Sequence, residues 1–202
     1  MEVVDNKVGV PMEHYKSAFA AADPAAMSQR ARVPYENGHF LLTLLGRPVT
    51  VSWPDMVSRF ADDGAETASN TRILLARLLL EGALVPSAGQ MLAYTDMPWG
   101  NVYAQQFRGR CILRMAGTYG SDLPGFAAAC ARVSGAAAQS GDASFDLPFL
   151  PELTVRLILW EGDEEFPAAA QILFSDNFSS AFSAEDIAVV GDVLLNAMKG
   201  RW

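Results

Sequence analysis

Thiols and imidazoles are scarce in this sequence, with two cysteines and two histidines among 202 residues. An iron–sulfur cluster or an all-cysteine zinc site needs four thiolates, which a single chain with two cysteines does not supply. Cys111 and Cys130 each fall on a helical stripe of apolar residues, so we expect both to be buried and reduced. No cofactor is expected, and His14 and His39 are interpreted as surface or structural histidines.

Motifs of the common enzyme classes are also missing. The chain contains no phosphate-binding loop, no glycine-rich dinucleotide fingerprint, no His-Glu-x-x-His, no Cys-x-x-Cys and no Gly-x-Ser-x-Gly elbow. No stretch approaches the ~18 uncharged apolar residues of a membrane span. The first residues lack the basic-then-apolar layout of a secretory signal. We therefore expect a soluble cytoplasmic protein with no membrane partner.

Positive charge is sparse and unevenly distributed. The net charge is −8, and residues 141–202, with three basic and eleven acidic side chains, account for all of it. Such a surface repels a phosphate backbone, so nucleic acid is not an expected partner. The one basic cluster, Arg108, Arg110 and Arg114 on a predicted helix, is interpreted as a solvated face or as an intramolecular partner of the acidic C-terminal third.

Helical and strand periodicities are both present. Apolar residues at helical spacing predict helices centred near residues 75, 107, 129 and 191, after an N-terminal helical segment over residues 1–34. Alternating or continuous apolar runs predict a hairpin over 39–53 and a strand pair over 153–174.

These elements predict one α+β domain over residues 1–202. We expect a mainly antiparallel sheet, containing the hairpin and the strand pair together, covered by the helices. The Ala-, Gly- and Ser-rich segment 135–147 is predicted to be a flexible loop. Asp23 and the pair Ser183 and Asp186 are predicted to cap two of the helices.

The segment between the last two predicted strands is the least ordinary part of the sequence. It places four carboxylates within five residues and brackets them with two aromatic side chains: Trp160, Glu161, Asp163, Glu164, Glu165 and Phe166. One interpretation is a solvated turn whose aromatic residues pack inward. The other is a binding site for a basic partner or for a hard cation, with Asp163, Glu164 and Asp176 as alternative metal ligands. Consecutive acids on a strand point to opposite faces, which favours a broad negative patch.

Two blocks of the chain resemble one known family. The first is Trp-x-Gly-Asp-Glu-Glu-Phe-Pro-Ala at 160–168, followed by Ile-Leu-Phe at 172–174 and Ser-x-Glu-Asp at 183–186. The second is Pro-x-Gly-x-x-Tyr-x-x-x-Phe at 98–107. Over residues 35–195 the chain is similar to an uncharacterised domain family of bacteria and archaea that is common in anaerobes.

This resemblance implies a fold and a metabolic context, and no established reaction. Some relatives carry an added cysteine-rich iron–sulfur module and are described as iron–sulfur or corrinoid-associated proteins. The present chain lacks that cysteine cluster, so no iron–sulfur function carries over to it.

We therefore expect a non-catalytic accessory protein of anaerobic metabolism that binds a protein partner or a small apolar ligand. Its candidate binding residues are those of the bracketed acidic segment together with Arg156 and Tyr103. The alternative is a carboxylate-based, divalent-metal-dependent enzyme in which the acids at 161–165 serve as acid, base or metal ligand. In that alternative, Arg156 holds an anionic substrate.

Overall fold

A computed structural model describes residues 9–202, with side chains from Met12 onward. The chain opens with two helices, α1 (Gly9–Ala21) and α2 (Pro24–Ala31). The Asp23 carboxylate accepts two first-turn backbone N–H groups of α2, which confirms the predicted cap. The part of the predicted N-terminal segment that precedes residue 9 lies outside the described residues.

The first sheet is a four-stranded antiparallel meander in chain order. Its strands are β1 (Tyr35–Glu36), β2 (His39–Leu44), β3 (Arg47–Ser52) and β4 (Ser58–Phe60). Strand β2 alternates exposed and buried residues, as a strand does when one of its faces is solvated. The predicted hairpin over 39–53 is confirmed, and helix α3 (Ser69–Glu81) follows the sheet.

The second sheet has five antiparallel strands in the order β5-β9-β8-β7-β6. These strands are β5 (Met91–Ala93), β6 (Ala136–Ala137), β7 (Ala143–Leu150), β8 (Leu153–Trp160) and β9 (Ala169–Ser175). On β8 every second residue from Leu153 to Leu159 is fully buried, and these side chains face the helices. The opposite face of the sheet carries Arg156 and Trp160, which are only partly covered.

Helices cover the inner face of the five-stranded sheet. They are α4 (Gly100–Phe107), α5 (Leu113–Tyr119), α6 (Leu123–Arg132), α7 (Phe178–Ala181) and α8 (Ala184–Ala197). A single π turn, Arg108–Ile112, joins α4 to α5. Ser183 and Asp186 form the predicted reciprocal cap of α8. No helix within residues 9–202 combines the length and the apolar composition that crossing a membrane requires.

The α+β class is confirmed, but two details of the expected architecture are wrong. The hairpin over 39–53 and the strand pair over 153–174 lie in separate sheets, because β7 occupies the free side of β8. The segment 135–147, expected to be a loop, contains β6 and the beginning of β7. Apolar residues at alternate positions, Phe145, Leu147 and Phe149, pack inward from β7.

Two of the three clustered arginines do pair within the chain. Arg110 and Arg114 both reach the carboxylate of Asp192 on α8.

Both cysteines are free and buried, as expected. Burial raises the pKa of the Cys111 and Cys130 thiols to about 12, so neither is a thiolate at neutral pH.

Candidate binding site

The acidic segment forms a tight turn that Asp163 closes. Its carboxylate accepts the backbone N–H groups of Glu165 at 2.8 Å and Phe166 at 2.7 Å, and its own N–H donates to the Phe166 carbonyl at 2.9 Å. The two backbone hydrogen bonds lower the pKa of Asp163, so the carboxylate is ionised. Asp163 is therefore a turn-forming residue whose Oδ1 accepts both backbone N–H groups.

The turn is attached to its surroundings by main-chain bonds. The N–H of Glu161 donates to the Asp142 carboxylate at 2.8 Å, and the N–H of Gly162 donates to the carbonyl of Gly120, just after α5, at 3.1 Å. The side chains of Glu161, Glu164 and Glu165 are exposed. The segment thus presents a negative surface on a turn whose backbone is fixed at both ends.

The prediction that Trp160 and Phe166 pack inward is wrong. The exposed fraction is 37% for Trp160 and 67% for Phe166. Trp160 is one position out of phase with the buried residues of β8, so alternation places its indole on the open face of the sheet. Phe166 ends the turn that Asp163 closes, and no strand covers it there.

Arg156 is committed to an ion pair across two strands. Its guanidinium donates to both oxygens of the Asp146 carboxylate, at 2.6 and 2.8 Å, from β8 to the paired position on β7. The hydrogen bond to Asp146 raises the pKa of Arg156. A guanidinium already held by a bidentate carboxylate is a poor anchor for an anionic substrate.

The structure does not bring the alternative metal ligands together. Asp163 and Glu164 precede β9 and Asp176 follows it, and a strand of this length spans about 20 Å. Asp176 accepts the Ser87 hydroxyl at 2.6 Å and the Ala88 N–H at 3.1 Å, and so fixes the loop before β5. Across residues 9–202, no three His, Cys, Asp or Glu side chains are grouped as metal ligands.

A groove that the sequence interpretation did not identify lies between α4 and β9. It has a volume of about 380 Å³, and apolar side chains make up most of its lining. Its walls come from the turn after β5, from α4 with the π turn, and from the first half of β9: Ala93, Tyr94, Thr95, Ala104, Gln105, Phe107, Arg108, Ile112, Ala170, Gln171 and Ile172. The acidic turn leads directly into the strand that forms one of these walls.

The floor of the groove is a stacked aromatic pair. The rings of Tyr94 and Phe107 lie 4.2 Å apart and 9° from parallel. The Tyr94 hydroxyl donates to the carbonyl of Ala184 on α8 at 2.7 Å. Burial raises the pKa of Tyr94 to about 12, so the phenol keeps its proton and this bond.

One cation lies in the groove wall without a charged partner. Arg108 is exposed, and no carboxylate among residues 12–202 lies within ion-pairing distance of its guanidinium, in contrast to Arg110 and Arg114. Arg108 also begins the π turn, a local distortion that is common at functional sites. The groove therefore combines an apolar lining with a single free positive charge.

Exposed apolar residues lie at the start of α4. Trp99 is 80% exposed, and Val102 and Tyr103 are exposed on the first turn of the helix. Tyr103 itself does not line the groove, whereas the next residue, Ala104, does. The block 98–107, which resembles the known family, was the part of the sequence that pointed to this helix. Its glycine has a structural reason, since a Cβ at Gly100 would collide with the Tyr94 carbonyl.

Comparison with known proteins identifies the family of the chain. Neither the curated proteins nor the solved structures gave a match to this chain. A family model described as "Domain of unknown function (DUF3786)" matches residues 23–197, which is most of the sequence and includes every element that forms the groove. The chain therefore belongs to the DUF3786 family of domains of unknown function.

Proposed function

We propose that the protein is a non-catalytic binding module whose binding site is the groove between α4 and β9. The observation that carries this proposal is an open apolar concavity with a rigid aromatic floor and, in its wall, the Arg108 guanidinium, which no carboxylate among residues 12–202 pairs. Ligand sites are typically concave, mostly apolar and equipped with a few oriented polar groups. The groove has this composition, and its volume lies within the range of ligand pockets.

The exposed surface around the groove supports the same proposal. Trp99, just before α4, and Val102 and Tyr103 in its first turn are exposed apolar side chains on the helix that forms one wall of the groove. Exposed apolar residues that cluster near a concavity mark interaction surfaces more often than isolated ones do. Aromatic residues at such a surface supply a large contact area at a low cost in conformational entropy.

The acidic turn has a secondary role in this proposal. Its exposed carboxylates, Glu161, Glu164 and Glu165, would steer a basic region of the partner toward the neighbouring groove. Steering of this kind weakens with salt, because the Debye length falls to about 3 Å at 1 M. A role in anaerobic metabolism stays a prediction that rests on the family resemblance alone.

The carboxylate-based enzyme has less support from the geometry. Asp163 closes its own turn, Asp176 fixes the loop before β5, and Arg156 is paired with Asp146. Each of these groups already has a structural partner.

Binding in the groove can be tested with 8-anilinonaphthalene-1-sulfonate, an apolar anion that matches the lining and the charge of Arg108. We expect saturable binding of one dye molecule per chain. Ala104→Glu places a carboxylate in the groove wall, one helical turn before Arg108, where it fills space and pairs with the guanidinium. This variant should weaken dye binding at least tenfold.

The matched control is Gln106→Glu, which adds the same charge to the exposed side of α4 outside the groove. It should leave the dye affinity within twofold of the parent. Circular dichroism melts show whether both variants are folded. Equal weakening by the two variants, or dye binding that does not saturate, would show that the groove is not the site.

A further inference from the structure

The groove has few polar side chains, and two of them lie together on one helix. Gln105 and Arg108 both line the groove and are three positions apart, so they are neighbours on the same face where α4 runs into the π turn. Thr95 and Gln171 supply further polar groups in the other walls, and both are uncharged. Among the described residues that line the groove, Arg108 is therefore the only charged one.

The surroundings of this cation are acidic. The chain has a net charge of −8. Asp96 directly follows the lining residue Thr95, and the acidic turn with the exposed Glu164 and Glu165 leads into β9. A ligand with two or more negative charges would have one of them balanced by Arg108 and the others repelled by these carboxylates, whereas a cationic ligand would be repelled by Arg108 itself. The charges therefore favour a ligand with a single negative charge.

Small side chains make room for an apolar group beside the aromatic floor. Ala93, Ala104 and Ala170 line three different walls and contribute one methyl group each. Ile112 and Ile172 complete the apolar lining. A polar group placed against this surface would lose its water without gaining a hydrogen bond, which costs free energy. The part of the ligand that lies away from Arg108 is therefore expected to be hydrocarbon.

The volume of the groove limits the size of the ligand. About 380 Å³ is the liquid volume of about a dozen water molecules at ~30 Å³ each. A ligand that fills the groove therefore has roughly a dozen non-hydrogen atoms. Decanoate is an acid of this size, whereas nucleotide coenzymes and two-chain lipids are larger.

The guanidinium distinguishes an acid from a neutral apolar molecule. Arg110 and Arg114 both pair with Asp192, but no carboxylate among residues 12–202 pairs with Arg108. A guanidinium can donate two parallel hydrogen bonds to a carboxylate, and such charge-assisted bonds are stronger than neutral ones. A neutral amide of the same shape offers one acceptor oxygen and no charge.

We propose that the groove binds a small apolar monocarboxylate, whose carboxylate pairs with Arg108 beside Gln105 and whose hydrocarbon part lies between the alanine walls above the aromatic floor. This proposal rests on the proposed binding function and names the ligand class of the same site. A ligand of this size leaves the acidic turn free for a basic protein partner.

The first test compares ligands of equal chain length and different charge on the full-length chain. N-phenyl-1-naphthylamine, an apolar dye without charge at neutral pH, reports occupancy of the groove independently of Arg108. Decanoate should displace this dye at a concentration at least fivefold lower than decanamide, because only the acid forms the charge-assisted pair. Decyl phosphate, with a larger negative charge, should bind no more tightly than decanoate, and decylamine should bind more weakly than decanamide.

The second test removes the cation. In Arg108→Gln, decanoate and decanamide should displace the dye at concentrations within twofold of each other, while the affinity for the neutral dye stays within twofold of the parent. Arg110→Gln is the matched control, since it makes the same charge change two positions away, outside the groove, and Asp192 keeps its contact with Arg114. The preference for decanoate should persist in this control. Thermal melts show that both variants are folded.

The third test measures the space available to the hydrocarbon chain. From hexanoate upward, affinity should rise by up to about fourfold for each added methylene, the factor that corresponds to ~0.8 kcal/mol per buried CH₂. The rise should end near ten carbons, where the groove is full. Ala104→Leu fills part of the groove and should move this limit to shorter acids.

Three outcomes would overturn the proposal while the groove remains a binding site. They are equal displacement of the neutral dye by decanoate and decanamide, binding of decyl phosphate more than tenfold tighter than that of decanoate, and a preference for the acid that survives in Arg108→Gln. Affinity that continues to rise up to tetradecanoate would also contradict it and indicate a larger occupant. If the neutral dye does not bind, or if Ala104→Glu leaves its binding unchanged, the proposed binding function itself fails.

Discussion

The phenol of Tyr94 lies flat on the ring of Phe107, and its hydroxyl donates to the Ala184 carbonyl at 2.7 Å. This arrangement connects the turn after β5 to α4 and to the first residue of α8. The floor of the groove is therefore part of the core. A ligand that enters the groove meets a surface that does not need to rearrange.

Replacing Tyr94 by phenylalanine should keep the stack and remove the hydrogen bond. We expect a loss of about 1 kcal/mol in the free energy of unfolding, the usual value of one such bond. Urea denaturation measures it, with Tyr103→Phe on the exposed face of α4 as the control, expected to change stability by less than about 0.5 kcal/mol. Dye affinity in Tyr94→Phe should remain within twofold, and a larger change would show that the hydroxyl shapes the groove.

Alkaline pH should destabilise the protein through its buried thiols. Burial raises the pKa of Cys111 and Cys130 from about 9 to about 12 in the folded state. Their contribution to stability is complete below pH 9 and is lost as the pH rises toward 12, because the unfolded chain releases these protons first. Urea melts at pH 8, 9.5 and 10.5 should show a falling free energy of unfolding.

The double variant Cys111→Ala with Cys130→Ala isolates this effect, since it removes both thiols and leaves the tyrosines and lysines in place. Its stability should fall less steeply with pH than that of the parent. Parallel slopes would contradict the assignment. Native protein at pH 8 should also resist alkylation by iodoacetamide, and both cysteines should react after unfolding in urea.

Asp186 holds both the beginning of α8 and a half-buried arginine. Its carboxylate accepts the Ser183 N–H at 3.1 Å, the Ser183 hydroxyl at 2.7 Å and the Arg77 guanidinium at 2.9 Å. Asp186→Asn should cost about 1–3 kcal/mol, because it weakens the cap and leaves the half-buried Arg77 guanidinium only its 4.0 Å contact with Glu81. Glu185→Gln, one residue earlier and exposed, should cost less than about 0.5 kcal/mol.

The double variant Arg77→Met with Asp186→Asn completes this test. Because the neighbouring guanidinium is then absent, it should recover part of the stability lost in Asp186→Asn. No recovery in thermal or urea melts would mean that the cap alone accounts for the cost.

Two glycines should respond in opposite directions to alanine. Gly141 has a φ of +58°, and a Cβ there would lie 2.7 Å from Ile158 and 2.8 Å from the Leu159 carbonyl. Gly141→Ala should therefore destabilise by about 1–3 kcal/mol. Gly117 in α5 has open space at its Cβ position, so Gly117→Ala should stabilise by about 0.5–1 kcal/mol. Thermal melts of the two variants give the comparison directly.

Exposure sets the expected cost of truncating the two aromatics that bracket the acidic turn. Trp160→Ala should cost about 1–2 kcal/mol and Phe166→Ala less than about 0.5 kcal/mol, since much of each side chain already contacts solvent. Phe126→Ala, at a fully buried ring, should cost about 3–5 kcal/mol. A loss at Trp160 as large as that at Phe126 would show that the indole is covered in solution.

Local signals in the sequence predicted local structure well. Asp23 caps α2, and Ser183 with Asp186 caps α8, because a cap depends on residues within one helical turn of each other. The apolar run 153–160 became the central strand β8, since its composition suits a strand covered by helices on one face and flanked by strands on both sides. The helices predicted near residues 75, 129 and 191 are also present, because apolar residues at helical spacing give each of them a buried face.

The sites of interaction were harder to predict. The acidic turn stands out in composition. The carboxylates of Asp163 and Asp176, however, accept hydrogen bonds from backbone N–H groups, and no pattern of side chains predicts those bonds. The groove is lined by alanines, glutamines and aromatics that are ordinary in sequence. Arg108 looked the same as Arg110 and Arg114, and only the position of Asp192 on a distant helix separates them.

Periodicity over a few turns of the chain was enough to predict the α+β class, the positions of most helices and strands, and the burial of both cysteines. Long-range packing determines that the hairpin over 39–53 and the strand pair lie in separate sheets, that Trp160 faces solvent and that a groove opens between α4 and β9. Strand neighbours are chosen among segments far apart in the chain. The place where the groove opens therefore depends on contacts, such as that of Tyr94 with Ala184, between residues 90 positions apart.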